Sequence, residues 1–165
     1  MQATLLGMVV SLAAFSAHAA EETVRIDRAT IRFDPARWTV TSDVESATFE
    51  AKGEAVKDLD PVNFRHLPDV GAKSCAELSQ REFGVGRYDE TSIERSETTI
   101  GGVAAERFTA HTRCRNATPR GEVACIRTGG AVYVLAALQA GRGGRNLLSG
   151  IDPLVEIAGG VSFTR

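Results

Sequence analysis

The sequence predicts an α+β fold: an antiparallel sheet flanked by helices, in the order β-β-β-α-β-β-β-β-α-β. Three observations carry the expectation. Residues 92–100 and 103–114 alternate in polarity on either side of Gly101-Gly102. Residues 131–138 (AVYVLAAL) form a continuous apolar run directly after a second double glycine, Gly129-Gly130. Residues 73–83 and 147–157 carry helical spacing, with apolar positions recurring on one face.

Before any of these elements stands an apolar run of eleven residues at 5–15 (LLGMVVSLAAF), followed by small residues Ala17 and Ala19. This is the pattern of a secretory signal peptide over residues 1–19, with cleavage after Ala19 and a mature chain starting at Ala20. Residues 1–4 contain neither Lys nor Arg, so the terminal amine is the only positive charge ahead of the run. Glu21 and Glu22 end the stretch well short of the roughly 20 apolar residues a spanning helix needs. We therefore expect no stable membrane anchor after cleavage, and a periplasmic or secreted location.

Removing 19 of 165 residues leaves 146, a length that suits one α+β domain over residues 20–165. A net charge of −2 gives no footprint for nucleic acid.

Along the mature chain, 30–33 reads as a short strand closed by Asp34-Pro35, with 38–41 (WTVT) as its partner and 47–51 (ATFEA) as a third strand. Residues 54–70 read as a long irregular connection, because Pro61 and Pro68 bracket Phe64 and Leu67. The helix at 73–83 stops before Gly84. Two glycines in succession supply the positive φ angles of a two-residue hairpin, so 92–100 and 103–114 pair across Gly101-Gly102. On the returning strand Phe108, Ala110, Thr112 and Cys114 share the core side, opposite Arg107, Thr109, His111 and Arg113. Residues 122–128 and 131–138 pair across Gly129-Gly130, and the apolar run belongs near the sheet centre, buried on both faces. Pro153 favours a start near Asp152 for the second helix, and 161–164 close the chain as a short strand.

Several phrases, taken in order, resemble the Mog/PsbP-like family, which includes DcrB-like bacterial envelope proteins. They are FDPARW, TTIGGVAAERF, AVYVLAAL and the closing helix before GGVSF, together spanning about residues 30–163. The resemblance implies an antiparallel sheet flanked by helices and an accessory or partner-binding role without catalysis. It transfers no binding residue by position.

The chain holds three cysteines, Cys75, Cys114 and Cys125. An oxidising compartment favours a disulfide, and we expect Cys114–Cys125 across a hairpin turning at Pro119-Arg120. The competing arrangement joins Cys75 on the helix to Cys114 or Cys125. No spacing suggests a CxxC redox motif or a zinc site, and we expect no metal and no cofactor. Asp58, Asp60 and Asp69 match no calcium loop, Ser149 lacks the flanks of a nucleophile elbow, and Asn116-Ala117-Thr118 is a glycan acceptor pattern only in a secretory eukaryotic setting.

The leading site is a basic hairpin containing Arg113, Arg115, Arg120 and Arg127, whose guanidinium forks suit carboxylate or phosphate groups. With the leader and the role the resemblance implies, the leading expectation is a non-enzymatic exported accessory protein of the periplasm or cell envelope, binding a protein partner or an anionic ligand. An immunity or inhibitor protein belongs to the same behaviour. The alternative is a small secreted hydrolase using Cys75 with His66 or His111, which requires the thiol and an imidazole to meet in one cleft.

Overall fold

The alternating segments pair as antiparallel ladders, and the double glycines are two of their turns. A computed structural model describes residues 21–53, 61–83, 91–112, 120–139 and 153–164. The elements in chain order are β1 (Glu22–Ile26), β2 (Ala29–Phe33), β3 (Trp38–Ser42), β4 (Ser46–Ala51), β5 (Val62–Leu67), α1 (Cys75–Phe83), β6 (Thr91–Ile100), β7 (Val103–Thr112), β8 (Arg120–Thr128), β9 (Ala131–Gln139), α2 (Pro153–Gly160) and β10 (Val161–Phe163). The class is α+β and every pairing is antiparallel. Four strands separate the two helices and a single strand follows the second, as the sequence predicts.

The strands form two sheets. Seven take the order β3-β4-β5-β9-β8-β7-β6, and three take the order β1-β2-β10. β9 is the middle strand of the larger sheet, which explains its unbroken apolar run: Val132 to Ala137 are all buried. Gly101 and Gly102 have φ of 59° and 77°, and Gly129 and Gly130 have 57° and 79°. Both pairs are thus left-handed at each central turn residue, the geometry that matches the twist of the flanking strands.

Three readings of the N-terminal half change. The segment at 30–33 does not pair with 38–41: β2 lies between β1 and β10 in the small sheet, and β3 pairs with β4 in the large one. Asp34 makes the break, since its carbonyl accepts from the amides of Arg37 and Trp38 and its carboxylate from that of Ala36. β1 is an added strand, joined to β2 by a turn in which Asp27 takes a φ of 52°. The connection at 54–70 contains β5, whose Val62 and Phe64 are fully buried. Pro61 and Pro68 stand just outside its ladder with β9, so they bound the strand without costing it a hydrogen bond.

The two faces of the large sheet are covered differently. On one, Phe49, Val62, Phe64, Ile126, Tyr133 and Leu135 pack against the small sheet (Ile26, Ile31, Val161) and α2 (Leu154, Ile157). On the other, α1 places Cys75 and Leu78 over Phe108, Cys125 and Val132. The helix starts two residues later than its apolar spacing predicts, at a reciprocal cap. The Ser74 amide and hydroxyl donate to the Glu77 carboxylate (2.7 and 2.8 Å), and the Glu77 amide donates to the Ser74 hydroxyl (3.2 Å). Those bonds, with the amide foremost, hold the Glu77 carboxyl below its ordinary range. α2 begins on buried Pro153, as expected. Among the described residues no helix is long and apolar enough to cross a membrane.

Candidate functional site

α1 covers only part of its face of the large sheet. Beside its N-terminus the ends of β6, β7 and β8 leave a groove of about 470 Å³. Strand parity decides what lines it. Arg95, Glu97 and Thr99 on β6 alternate onto this face, as do Ala104 and Glu106 on β7 and Cys125 and Arg127 on β8, and Cys75 arrives from the first turn of α1. The Cys75–Cys125 disulfide closes the inner end, with a Cα–Cα distance of 5.6 Å and both residues almost fully buried.

The walls carry both signs of charge. Arg95 Nε lies 3.0 Å from the Glu106 carboxylate, reaching it diagonally across the strand pair. Glu97 stands directly opposite Glu106 in the ladder. Arg127 is exposed, and its guanidinium donates to the Lys73 carbonyl just ahead of the helix. Arginine that remains at a groove mouth can still offer donors to a carboxylate or a backbone carbonyl. Thr99 adds a hydroxyl that donates and accepts. The groove is thus lined by polar groups of both charge signs.

Of the predicted arginines, Arg127 lines the groove, whereas Arg113 and Arg115 lie outside the described residues. Arg120 and Arg127 occupy the two ends of β8 at opposite parity, about 23 Å apart along the strand. The described backbone therefore does not gather these two into one patch. Residues 1–19, Asp58, Asp60, Asn116, Thr118 and Ser149 also fall outside the described residues, and Asp69 is simply exposed.

The expected Cys114–Cys125 pairing is overturned. Cys125 bonds Cys75, fifty residues away in sequence, the arrangement held as the alternative. β8 turns Cys125 toward α1, and the capped first turn sets Cys75 directly above it. Cys114 lies outside the described residues. The same geometry bears on the hydrolase alternative. In the disulfide Cys75 has no thiol to deprotonate. His66 and His111 both sit at positions of the opposite sheet face, with Phe64 and Tyr133 in one case and with Arg107 in the other.

A second polar cluster pins the small sheet to the large one. The hydroxyl of fully buried Tyr133 donates to the Asp27 carboxylate at 2.5 Å. His66 stacks on the Tyr133 ring at 5.2 Å, with Nε2 at 3.8 Å from the same carboxylate. Burial, then the bond to Asp27, pushes the Tyr133 hydroxyl up to about 12. That hydrogen bond holds the Asp27 carboxyl below its ordinary value. No sequence signal marks this cluster, because its three members come from a turn and two separate strands. On the same sheet face Arg107 pairs with buried Glu122 at 2.5 Å. Among the described residues no three His, Cys, Asp or Glu side chains gather as metal ligands.

The fold and groove define a class: an α+β protein of two antiparallel sheets with a charged groove closed by a disulfide. A scan against protein-family models finds no match, the Mog/PsbP-like family included, and a search of curated proteins finds none either. Two solved structures show distant similarity. LpqN, involved in cell envelope biogenesis of Mycobacterium tuberculosis, is 16% identical with a TM-score of 0.46, over 90% of this chain and 92% of its own. PA94 of Pseudomonas aeruginosa, a protein of unknown function, is 13% identical with a TM-score of 0.37, over 72% of this chain and 82% of its own.

Proposed function

We propose that this protein is a non-enzymatic binding protein of the bacterial periplasm or cell envelope, exported by residues 1–19 and engaging a protein partner through the groove beside Cys75–Cys125. The observation that carries the reading is the groove itself: an uncovered part of the α1 face, walled by Arg95, Glu97, Glu106 and Arg127 and closed by a disulfide. Walls of both signs favour a protein segment with its own mixed charge over a simple anion. Export is supported by the apolar leader with Ala17 and Ala19, and by a buried disulfide, a bond that persists in oxidising compartments.

Filling the groove tests the reading. Ala104 is exposed on its wall, and Ala104→Trp should abolish capture of the partner that the wild-type protein retains from a periplasmic extract, with an unchanged thermal midpoint. Equal capture by the variant would remove the groove from the function.

A further inference from the structure

β6 is the outermost strand of the large sheet, and among the described residues nothing pairs with its outer edge. It is ten residues long, and Ser92, Glu94, Arg95, Ser96, Glu97 and Thr99 are all exposed. The Gly101-Gly102 turn decides which of its backbone groups point outward. In a two-residue hairpin of this type the flanking residues, here Ile100 and Val103, exchange both hydrogen bonds. Ile100, Thr98, Ser96 and Glu94 therefore direct their amides and carbonyls to β7, and Thr99, Glu97, Arg95 and Ile93 direct theirs away from it. A long row of such groups is a template for another strand.

We propose that this edge pairs with the same edge of a second copy of the chain, antiparallel about a two-fold axis at Ser96, joining two seven-stranded sheets into one. The charges select the register. A two-fold axis normal to the sheet sets residues of like parity opposite each other. With Ser96 on the axis, Arg95 of each copy faces Glu97 of the other, Ile93 faces Thr99, and Glu94 faces Thr98. Every outward-facing residue from Ile93 to Thr99 then meets an outward-facing residue, so the backbone ladder closes. Moving the axis to residue 95 sets Arg95 against Arg95, and moving it to residue 97 sets Glu97 against Glu97. Opposite charges directly across an antiparallel pair stabilise it and like charges destabilise it. Charged residues on an edge ordinarily discourage pairing; here they discourage the neighbouring registers and favour one.

The second copy also answers an imbalance within the chain. Glu97 lies opposite Glu106, whose carboxylate already holds Arg95 at 3.0 Å. In the dimer the second copy's Arg95 comes to Glu97. Arg95 and Glu97 line the groove as well, so the axis sets two grooves side by side, although the dimer does not depend on what the groove binds.

Sedimentation velocity of the mature chain over a concentration series tests the proposal. Wild type should show a concentration-dependent dimer. Arg95→Glu and Glu97→Arg should each weaken self-association about tenfold or more, since each replaces two attractive pairs by two repulsive ones, and the double variant should recover most of it. The register has its own test, in a Cys114→Ser background. Ser96→Cys should oxidise to a covalent dimer, because a non-hydrogen-bonded pair on the axis brings Cα atoms to about 4.5 Å. Thr98→Cys should not, as its symmetry mate lies about 13 Å along the strand. A monomer at all concentrations, a double variant as weak as the singles, or equal cross-linking at 96 and 98 would each overturn it. Loss of groove capture by Ala104→Trp with the dimer intact would separate this proposal from the binding function.

Discussion

Cutting the Cys75–Cys125 bond should cost this protein a large part of its stability. The bridge spans 50 residues. Closing a loop of that length removes entropy from the unfolded chain worth about 4 kcal/mol at 25 °C in the chain-entropy treatment. Cys75 and Cys125 are also buried at 3% and 1% exposure, so replacing both by Ala adds the lost packing of two sulfur atoms over α1. The bond joins the first turn of α1 to β8, and without it the helix rests on a small cluster around Leu78, Phe108 and Val132. For a domain of this size about 4 kcal/mol corresponds to a drop of roughly 10 °C in thermal midpoint. Urea unfolding of Cys75→Ala/Cys125→Ala should show the loss, whereas Cys114→Ser should unfold with the wild type. Peptide mapping of the unreduced protein should recover Cys75 linked to Cys125. If Cys114→Ser proves the destabilised variant and Cys75→Ala does not, the pairing and the placement of α1 that depends on it are both wrong.

Two further substitutions address the opposite face of the large sheet. Tyr133→Phe removes a hydrogen bond made from a fully buried ring and should cost about 1 kcal/mol at neutral pH, read by urea midpoint. Because Asp27 is held below its ordinary value in the folded state, its contribution is present above the unfolded carboxyl value and is lost as pH falls through the lower, folded one. The difference between wild type and Tyr133→Phe should therefore shrink at acid pH, and a constant difference would count against the bond. Arg107→Met removes the ion pair to Glu122, which is 7% exposed. It should destabilise by about 2 kcal/mol, more than Arg95→Met at the exposed Arg95–Glu106 pair; equal costs would refute the contrast in burial.

Local pattern was legible where one strand or one turn decides the outcome. The double glycines at 101–102 and 129–130 form the turns their composition demands. Phe108 and Ala110 take the core side by simple alternation, and residues 131–138 read correctly as central because only a strand covered on both faces can be apolar throughout. β5 was hidden because Pro61 and Pro68 look like breakers until the ladder shows them lying just beyond its ends. β1 was hidden because a short exposed strand is held by its neighbours, and ETVRI buries only Ile26. Of the candidate arginines, Arg127 reached the groove. Arg95, Glu97 and Glu106 were not singled out, since alternating charges on a strand look the same whether they face solvent or a groove.

By itself the sequence determined the class, the hairpin turns and the central strand, all set by the 2.0 and 3.6 periods and by the backbone preferences of glycine and proline. Tertiary structure alone decided the division into two sheets, the choice of Cys75 over Cys114 as the partner of Cys125, and the groove beside that bond. The first depends on β10 returning to β2, 130 residues earlier in the chain at Val161↔Ile31, and the other two on which face of β8 meets α1, a relation between residues about fifty positions apart. Periodicity within a segment carries no information about such a meeting, because it fixes which side chains share a face and leaves open what packs against it.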